Sequence, residues 1–149
     1  GIVCRDVLTH LIDKRHHLAL TLGDCAGPAP VLVRVHSANA LNDVFHQRSG
    51  GVNFDVLEAS LKAIAAEGRG AVLYMEPPNP GEALVKTLTR APASGAPVTT
   101  MDLRDYGLGA QILRAIGLKK IRLLTRHPRK VVGLEAYGIE LVEQVEVKG

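Results

Sequence analysis

Residues 54–75, FDVLEASLKAIAAEGRGAVLYM, contain a helix signal followed directly by a strand signal. The first part predicts a helix over 54–67, which Asn53 caps at its start and Gly68 ends. Its apolar residues recur at intervals of three and four and form one stripe: Phe54, Leu57, Leu61, Ile64 and Ala65. After a short turn, the run AVLYM at 71–75 predicts a buried strand. A helix that leads through a tight turn into a buried strand is typical of α/β folds.

The segments on either side supply further strands and helices. Alternating apolar residues predict strands over 18–22 and 31–35, which we expect to pair as a hairpin. Residues 38–53 are polar and predict a long loop, and prolines restrict 76–100 to irregular structure with one or two helical turns in 83–90. The remaining segments predict, in order, a helix over 105–116, a strand over 121–124, a helix over 129–137 that Gly138 ends, and a half-exposed strand over 139–147.

The composition indicates one soluble globular domain. The 149 residues carry a net charge of +3 and are 46% hydrophobic but only 3% aromatic. The mild charge and the scarcity of aromatic rings argue against a nucleic-acid partner, and no apolar stretch has the length of a membrane span. Two cysteines are too few for a disulfide framework, which fits a cytoplasmic location. Because the sequence opens on Gly1 rather than on methionine, we expect the domain over 1–149 to belong to a longer polypeptide.

The turn after the strand at 121–124 offers a candidate ligand site. Thr125 and Arg126 follow the strand, and Arg129 and Lys130 fall in the first turn of the helix predicted after it. Cations at a helix N-terminus oppose the helix dipole unless an anion joins them, so the pattern indicates a phosphate-like ligand; the alternative is a set of solvated surface charges.

Two further groups of polar residues have structural and chemical interpretations. Before the helix at 105–116, Asp102 can act as its N-cap with Arg104 as an ion-pair partner. The six histidines show no HExxH spacing, and we expect His16 and His17 to be exposed. A metal site built from His36, His46 and Asp43 is the alternative interpretation of the polar loop.

Four stretches in a characteristic order resemble the GTP cyclohydrolase II family, which opens the imidazole ring of GTP and releases formate and pyrophosphate. They are HLALTLGD at 17–24, PVLVRVHS at 30–37, MDLRDYGLGAQIL at 101–113 and IRLLTRHPRK at 121–130. The resemblance implies an α/β fold with a mixed sheet flanked by helices, and this agrees with the order of elements above. It also implies a homodimer.

The resemblance implies a zinc ion held by three cysteines, which this sequence lacks at the matching positions. The first position is Asn39, and the CxC pair falls within 49–52, which reads Ser-Gly-Gly-Val. Neither an asparagine amide nor a serine hydroxyl replaces a thiolate on zinc, and glycine offers no side-chain ligand. We therefore expect no metal and no metal-activated water at this place.

The resemblance also assigns nucleotide and catalytic positions, some of which are kept. Asp102 and Arg104 match the family's general base and nucleophile. Nucleotide-contacting positions match Arg34, Thr125 and Lys130. A glycine-rich loop of the family is replaced by Pro-Asn-Pro-Gly at 78–81, and proline lacks the backbone N–H that would hold a phosphate.

The family positions that are kept and those that are lost together favour a degenerate, non-catalytic domain of a riboflavin-biosynthesis protein. The resemblance implies a fused or associated partner, 3,4-dihydroxy-2-butanone 4-phosphate synthase, beside which the domain has a structural or regulatory role. One alternative is an active GTP cyclohydrolase II with a rebuilt metal site. Another is a nucleotide-sensing module that keeps a nucleotide or phosphate ligand without the chemistry.

Overall fold

The computed structural model describes residues 3–9, 14–46, 55–89, 103–126, 128, 131 and 133–148. Six strands form one sheet: β1 (Val3–Thr9), β2 (His16–Leu22), β3 (Val31–Ser37), β4 (Gly70–Met75), β5 (Lys120–Thr125) and β6 (Glu140–Glu146). The described helices are α1 (Ala40–Asp43), α2 (Val56–Glu67), α3 (Pro80–Thr89), α4 (Leu103–Ala115) and a 3-10 turn at Glu135–Tyr137. The α/β class predicted from sequence is confirmed.

The sheet is mixed, with the strand order β1-β2-β4-β3-β5-β6. β2 runs antiparallel to both β1 and β4, whereas β3, β4, β5 and β6 are mutually parallel where they pair. The predicted hairpin between the second and third strands is therefore wrong, because β4 lies between them. The almost wholly apolar β4 lies between two strands, where helices on opposite faces of the sheet bury its side chains.

One helix covers each face of the central strands. On one face, Leu108 and Leu113 of α4 belong to the same buried cluster as Val33 and Leu73 of the sheet. On the other face, Ile64 of α2 packs in a second cluster with sheet residues that include Leu32, Val72 and Leu124. The core is almost entirely aliphatic, as the composition predicts.

The helix and the strand predicted over 54–75 are confirmed as α2 and β4, except for the first residues of the helix. α2 starts at Val56, and its N-cap is Asp55, whose carboxylate accepts the N–H of Glu58 at 2.9 Å. The predicted cap, Asn53, lies outside the described residues. Gly68 ends the helix in the left-handed conformation at φ 74°, as predicted.

Other boundaries differ from prediction for identifiable reasons. α1 lies inside the segment predicted as a long loop, and α3 starts at Pro80 within the segment predicted to be irregular. Proline is tolerated in the first helical turn, where its missing N–H would have no helical partner. β1 was not predicted. The helices and strands expected at 105–116, 121–124 and 139–147 are confirmed as α4, β5 and β6.

The helix predicted over 129–137 is wrong in the part that the structure describes, where only Glu135–Tyr137 are helical. Gly133 has φ 99°, which an α-helix cannot contain. Gly138 ends the short turn in the left-handed conformation, as predicted. The helix N-terminus on which the predicted anion site at 125–130 depended is therefore not among the described helices.

The structure also bears on the state of the cysteines and on the question of a membrane span. Cys25 is a buried thiol and not half of a disulfide. Among the described residues, no helix combines the length and apolar character that crossing a bilayer requires.

Gly70→Ala is expected to destabilise the fold at the contact between α2, β3 and β4. A Cβ at this position would lie 2.7 Å from the carbonyl oxygen of Leu32 and 2.8 Å from Cγ2 of Ile64. We expect the free energy of unfolding, measured by urea titration, to fall by about 2–3 kcal/mol. Gly81→Ala is the control, because a Cβ there meets nothing within 4 Å. Equal loss in both variants would contradict the close approach at Gly70.

Candidate functional site

The polar residues of interest lie where the parallel strands end. β3, β4 and β5 finish at Ser37, Met75 and Thr125, and their carboxyl ends share one edge of the sheet. Ligands of open α/β sheets bind beyond this edge. The register places His36 of β3 directly beside Tyr74 of β4, and the two rings stack with centroids 5.6 Å apart.

The carboxylate of Asp43, in the short helix after β3, joins these residues into one network. Its Oδ1 lies 2.9 Å from Nε2 of His36. Its Oδ2 accepts the hydroxyl of Tyr74 at 2.9 Å and the backbone N–H of Asn39 at 2.8 Å. Only 5% of the Asp43 side chain and 9% of the His36 side chain are exposed. A carboxylate with three such partners is well satisfied without a metal.

The side chain of Asn39 is used as the N-cap of α1. Its Oδ1 accepts the N–H groups of Leu41 and Asn42 at 3.2 and 3.4 Å. Because its own N–H donates to Asp43, the side chains of residues 39 and 43 satisfy the N–H groups at the start of the helix reciprocally, much as a capping box does. The amide oxygen of Asn39 is therefore already engaged.

These contacts also set the protonation states in the network. Burial raises the pKa of Asp43, but the hydrogen bonds and charge of His36, with the bonds from Asn39 and Tyr74, outweigh it and lower the pKa overall. Burial and the Asp43 carboxylate raise the pKa of the Tyr74 hydroxyl far above its usual range. At neutral pH, Asp43 is thus an ionised acceptor and Tyr74 a neutral donor.

Arg34 is a half-buried cation two residues before His36 on the same strand. One of its terminal nitrogens donates to the carbonyl oxygen of Leu124 at 3.2 Å. Its Nε is buried and has no hydrogen-bond partner among the described residues. Burial lowers the pKa of Arg34, Tyr106 and Asp43 raise it, and Arg126 lowers it. An anion here would satisfy Nε and offset the repulsion between the two arginines.

The structure separates the residues of the metal-site alternative. His36 and Asp43 are paired, but the exposed His46 lies with its Nδ1 3.3 Å from Asp55 rather than with them. Within the described ranges, no group of three or more histidine, cysteine, aspartate or glutamate side chains could hold a metal ion. His17 is fully buried, so its predicted exposure is wrong; it sits at an inward position of β2, whereas His16 is exposed as expected.

Several predicted site residues are only partly located. Thr125 ends β5, and Arg126 follows it half-buried, at the strand edge that the sequence predicted. Arg104 lies in the first turn of α4. Asp102, Lys130 and positions 49–52 lie outside the described residues. The sequence analysis missed Tyr74 as a site residue, although a hydroxyl at the end of a buried strand was a usable signal.

A cavity of about 830 Å³ opens beside this network. Asn39 and Tyr74 form part of its wall, together with β2, the segment after β4 and the start of α3. Its apolar lining consists mainly of Leu18, Ala38, Ala40, Pro77, Pro78, Pro80, Ala83 and Leu84. The charged residues of the lining are Glu76, Glu82 and Lys86. Among the described residues of this lining, the three prolines lack a backbone N–H, and the carboxylates outnumber the lysine.

The chain belongs to the GTP cyclohydrolase II family, whose sequence model matches residues 7–146. Among curated proteins, it is similar to the riboflavin biosynthesis protein RibBA of Bacillus cytotoxicus, with 41% identity over 153 residues, which cover 94% of this chain and 38% of that protein. RibBA of Bacillus subtilis is 40% identical with the same coverage. RibBA of Chlorobium phaeovibrioides is 39% identical over 91% of this chain and 35% of that protein. The chain thus spans little more than a third of the length of these relatives.

Asp43→Asn is expected to destabilise the chain strongly at neutral pH and progressively less in acid. The folded state lowers the pKa of Asp43, so the stability from its ionisation is present above its unfolded value, near 4, and is lost as the pH falls through the folded value. We expect a loss of about 2–4 kcal/mol at pH 7 that shrinks towards pH 3. Urea unfolding across this range measures the difference.

The control for this prediction is Asp24→Asn. Asp24 is an exposed turn residue that accepts the N–H of Ala26, which an asparagine can also do. We expect its substitution to change stability by less than about 0.5 kcal/mol at every pH. A difference between Asp43→Asn and the natural chain that does not vary with pH would show that the folded state does not favour the Asp43 carboxylate.

Proposed function

We propose that this chain is a non-catalytic GTP cyclohydrolase II-like domain of a riboflavin-biosynthesis protein. Its role is structural or regulatory, beside a fused or associated 3,4-dihydroxy-2-butanone 4-phosphate synthase. The observation that carries the proposal is the reciprocal bonding of Asn39 and Asp43 at the place where the family has its first metal ligand. The names of the RibBA relatives support the link to riboflavin biosynthesis.

The donors at this place do not fit the zinc ion of the family. Zinc sites use thiolates, imidazoles or carboxylates, and Asn39 offers a neutral amide that two N–H groups already occupy. The nearest carboxylate, Asp43, is held by three donors of the protein itself. Breaking them to bind a metal would leave a buried N–H and a buried hydroxyl unsatisfied. No step of the family's reaction can be derived through these residues.

The lining of the cavity next to the network also supports a domain without the family's reaction on GTP. A triphosphate needs backbone N–H groups and cations, but Pro77, Pro78 and Pro80 supply no N–H donor. Two carboxylates against one lysine also give the lining a negative balance, which repels a polyphosphate. The described part of this lining therefore offers a polyphosphate fewer donors than a glycine-rich loop would, and an unfavourable charge.

The proposal also covers the longer protein, its location in the cell and its oligomeric state. We infer that residues 1–149 form a single domain of a longer protein that works in the cytoplasm as a homodimer. The share of the relatives that the chain spans, little more than a third, agrees with a domain that works next to other protein material. In this role the buried network stabilises the scaffold, while the surface around the cavity remains available for contacts.

The purified chain is expected to contain less than about 0.1 zinc per molecule and to release no formate from GTP, because the donors needed to activate water are absent. Elemental analysis and a formate assay measure both, with the Bacillus subtilis relative tested in parallel. Stoichiometric zinc together with turnover would overturn the proposal and favour the rebuilt metal site.

A second candidate function, nucleotide sensing, is favoured by Arg34. Its buried, unpartnered Nε and the neighbouring Arg126 provide two cations at the carboxyl edge of the sheet, near Thr125. Such a module would hold a nucleotide or phosphate ligand through Arg34, Thr125 and Lys130 without reacting with it. This function would use the strand edge and would not need the metal.

Calorimetric titration with GTP, GMP and a flavin phosphate tests the sensing role. If the role is real, we expect Arg34→Met to weaken binding about tenfold, the loss of one charge-assisted contact. Arg69→Met is the matched control, because Arg69 likewise donates to one backbone carbonyl, that of Pro30, at 2.8 Å. The absence of heat and of a thermal shift at millimolar ligand would remove this function.

A further inference from the structure

We propose that the cavity beside β2 and α3 docks a segment of another protein that carries aliphatic side chains next to a lysine or arginine. The proposal deepens the proposed function and rests on it, because a surface released from nucleotide chemistry becomes available for a partner. The occupant is inferred from two properties of this surface, its apolar continuity and its charge.

The apolar lining continues onto an exposed face of α3. Leu84 belongs both to the cavity wall and to this face, where it is 39% exposed. Val85 and Leu88, one and four positions further along the helix, are 56% and 61% exposed. Residues at this spacing lie on one side of a helix. The surface is therefore longer than a small-molecule cavity alone and suits a chain segment with several aliphatic side chains.

The described residues of the lining carry the carboxylates of Glu76 and Glu82 against the one ammonium group of Lys86, and this imbalance favours a cationic partner. Glu82 lies 3.9 Å from Lys86, and both side chains are largely exposed, so this pair is loose. Glu76 is half-buried, and its carboxylate lies 3.5 Å from the backbone nitrogen of His16. The whole chain carries a net charge of +3, whereas the excess of carboxylates at Glu76 and Glu82 makes this part of the surface negative. A lysine or arginine of the partner complements it.

The net charge makes the proposal easy to test. Unspecific attraction to a basic protein would favour an acidic peptide, whereas the cavity favours a basic one. The probe is a fluorescein-labelled short peptide of leucine and lysine, followed by fluorescence anisotropy. The comparison peptides replace lysine by glutamate or leucine by serine at every position.

We expect the leucine–lysine peptide to bind at least about tenfold more tightly than either comparison peptide. Leu84→Ser should weaken this binding about tenfold, because it removes most of a buried leucine contact. Val142→Ser is the matched control: Val142 is 48% exposed on β6, does not line the cavity, and its loss should leave the affinity unchanged. Circular dichroism verifies that both variants fold.

Several outcomes would overturn the proposal. They are equal binding of all three peptides, no binding of any, and binding that Leu84→Ser and Val142→Ser affect alike. Sedimentation of the chain alone provides a further outcome: if Leu84→Ser abolishes self-association and no peptide binds, the surface belongs to a second copy of the chain. None of these measurements involves zinc or formate, so failure of the docking site and failure of the proposed function are distinguishable.

Discussion

Burial of β3 and β4 on both faces is the constraint on which the rest of this structure depends. Two adjacent parallel strands that are covered on both sides need a helix on each face, and α2 and α4 meet that need. Gly70 lies so close to Ile64 and to the Leu32 carbonyl that a side chain has no room there, and this lets α2 lie near the sheet. The same pairing brings the carboxyl ends of β3 and β4 together. It therefore positions His36 and Tyr74 side by side, and the site follows from the core.

The network around Asp43 holds three parts of the described fold together through one carboxylate. One carboxylate accepts bonds from a histidine, a tyrosine and a backbone N–H, and each partner comes from a different place in the chain. In a buried setting these bonds tie β3, β4 and α1 together, while Nδ1 of His36 has no hydrogen-bond partner among the described residues. The hydrogen bonds of the protein itself thereby stabilise this end of the sheet.

Two surfaces of the described fold, the strand edge at Arg34 and the cavity beside α3, differ in charge. At the strand edge, Arg34 and Arg126 make a cationic place that suits an anion. In the cavity, the three prolines of the lining supply no N–H donor, and the carboxylates of Glu76 and Glu82 outnumber the ammonium group of Lys86. A ligand that spans both surfaces would meet opposite fields within one molecule. The two surfaces therefore favour ligands of opposite charge.

The sequence by itself determined the α/β class, the family, the end of α2 at Gly68 and the strands β4, β5 and β6. These features depend on local periodicity, on glycine at positive φ and on motifs that are contiguous in the chain. Only the tertiary structure decided that β4 separates β2 from β3, because strand order depends on which strand gains most from burial on both faces. It also decided that His17 is buried and that Asn39, Asp43 and Tyr74 form one network. Their partners lie as many as 31 residues apart along the chain, and no local pattern records such contacts.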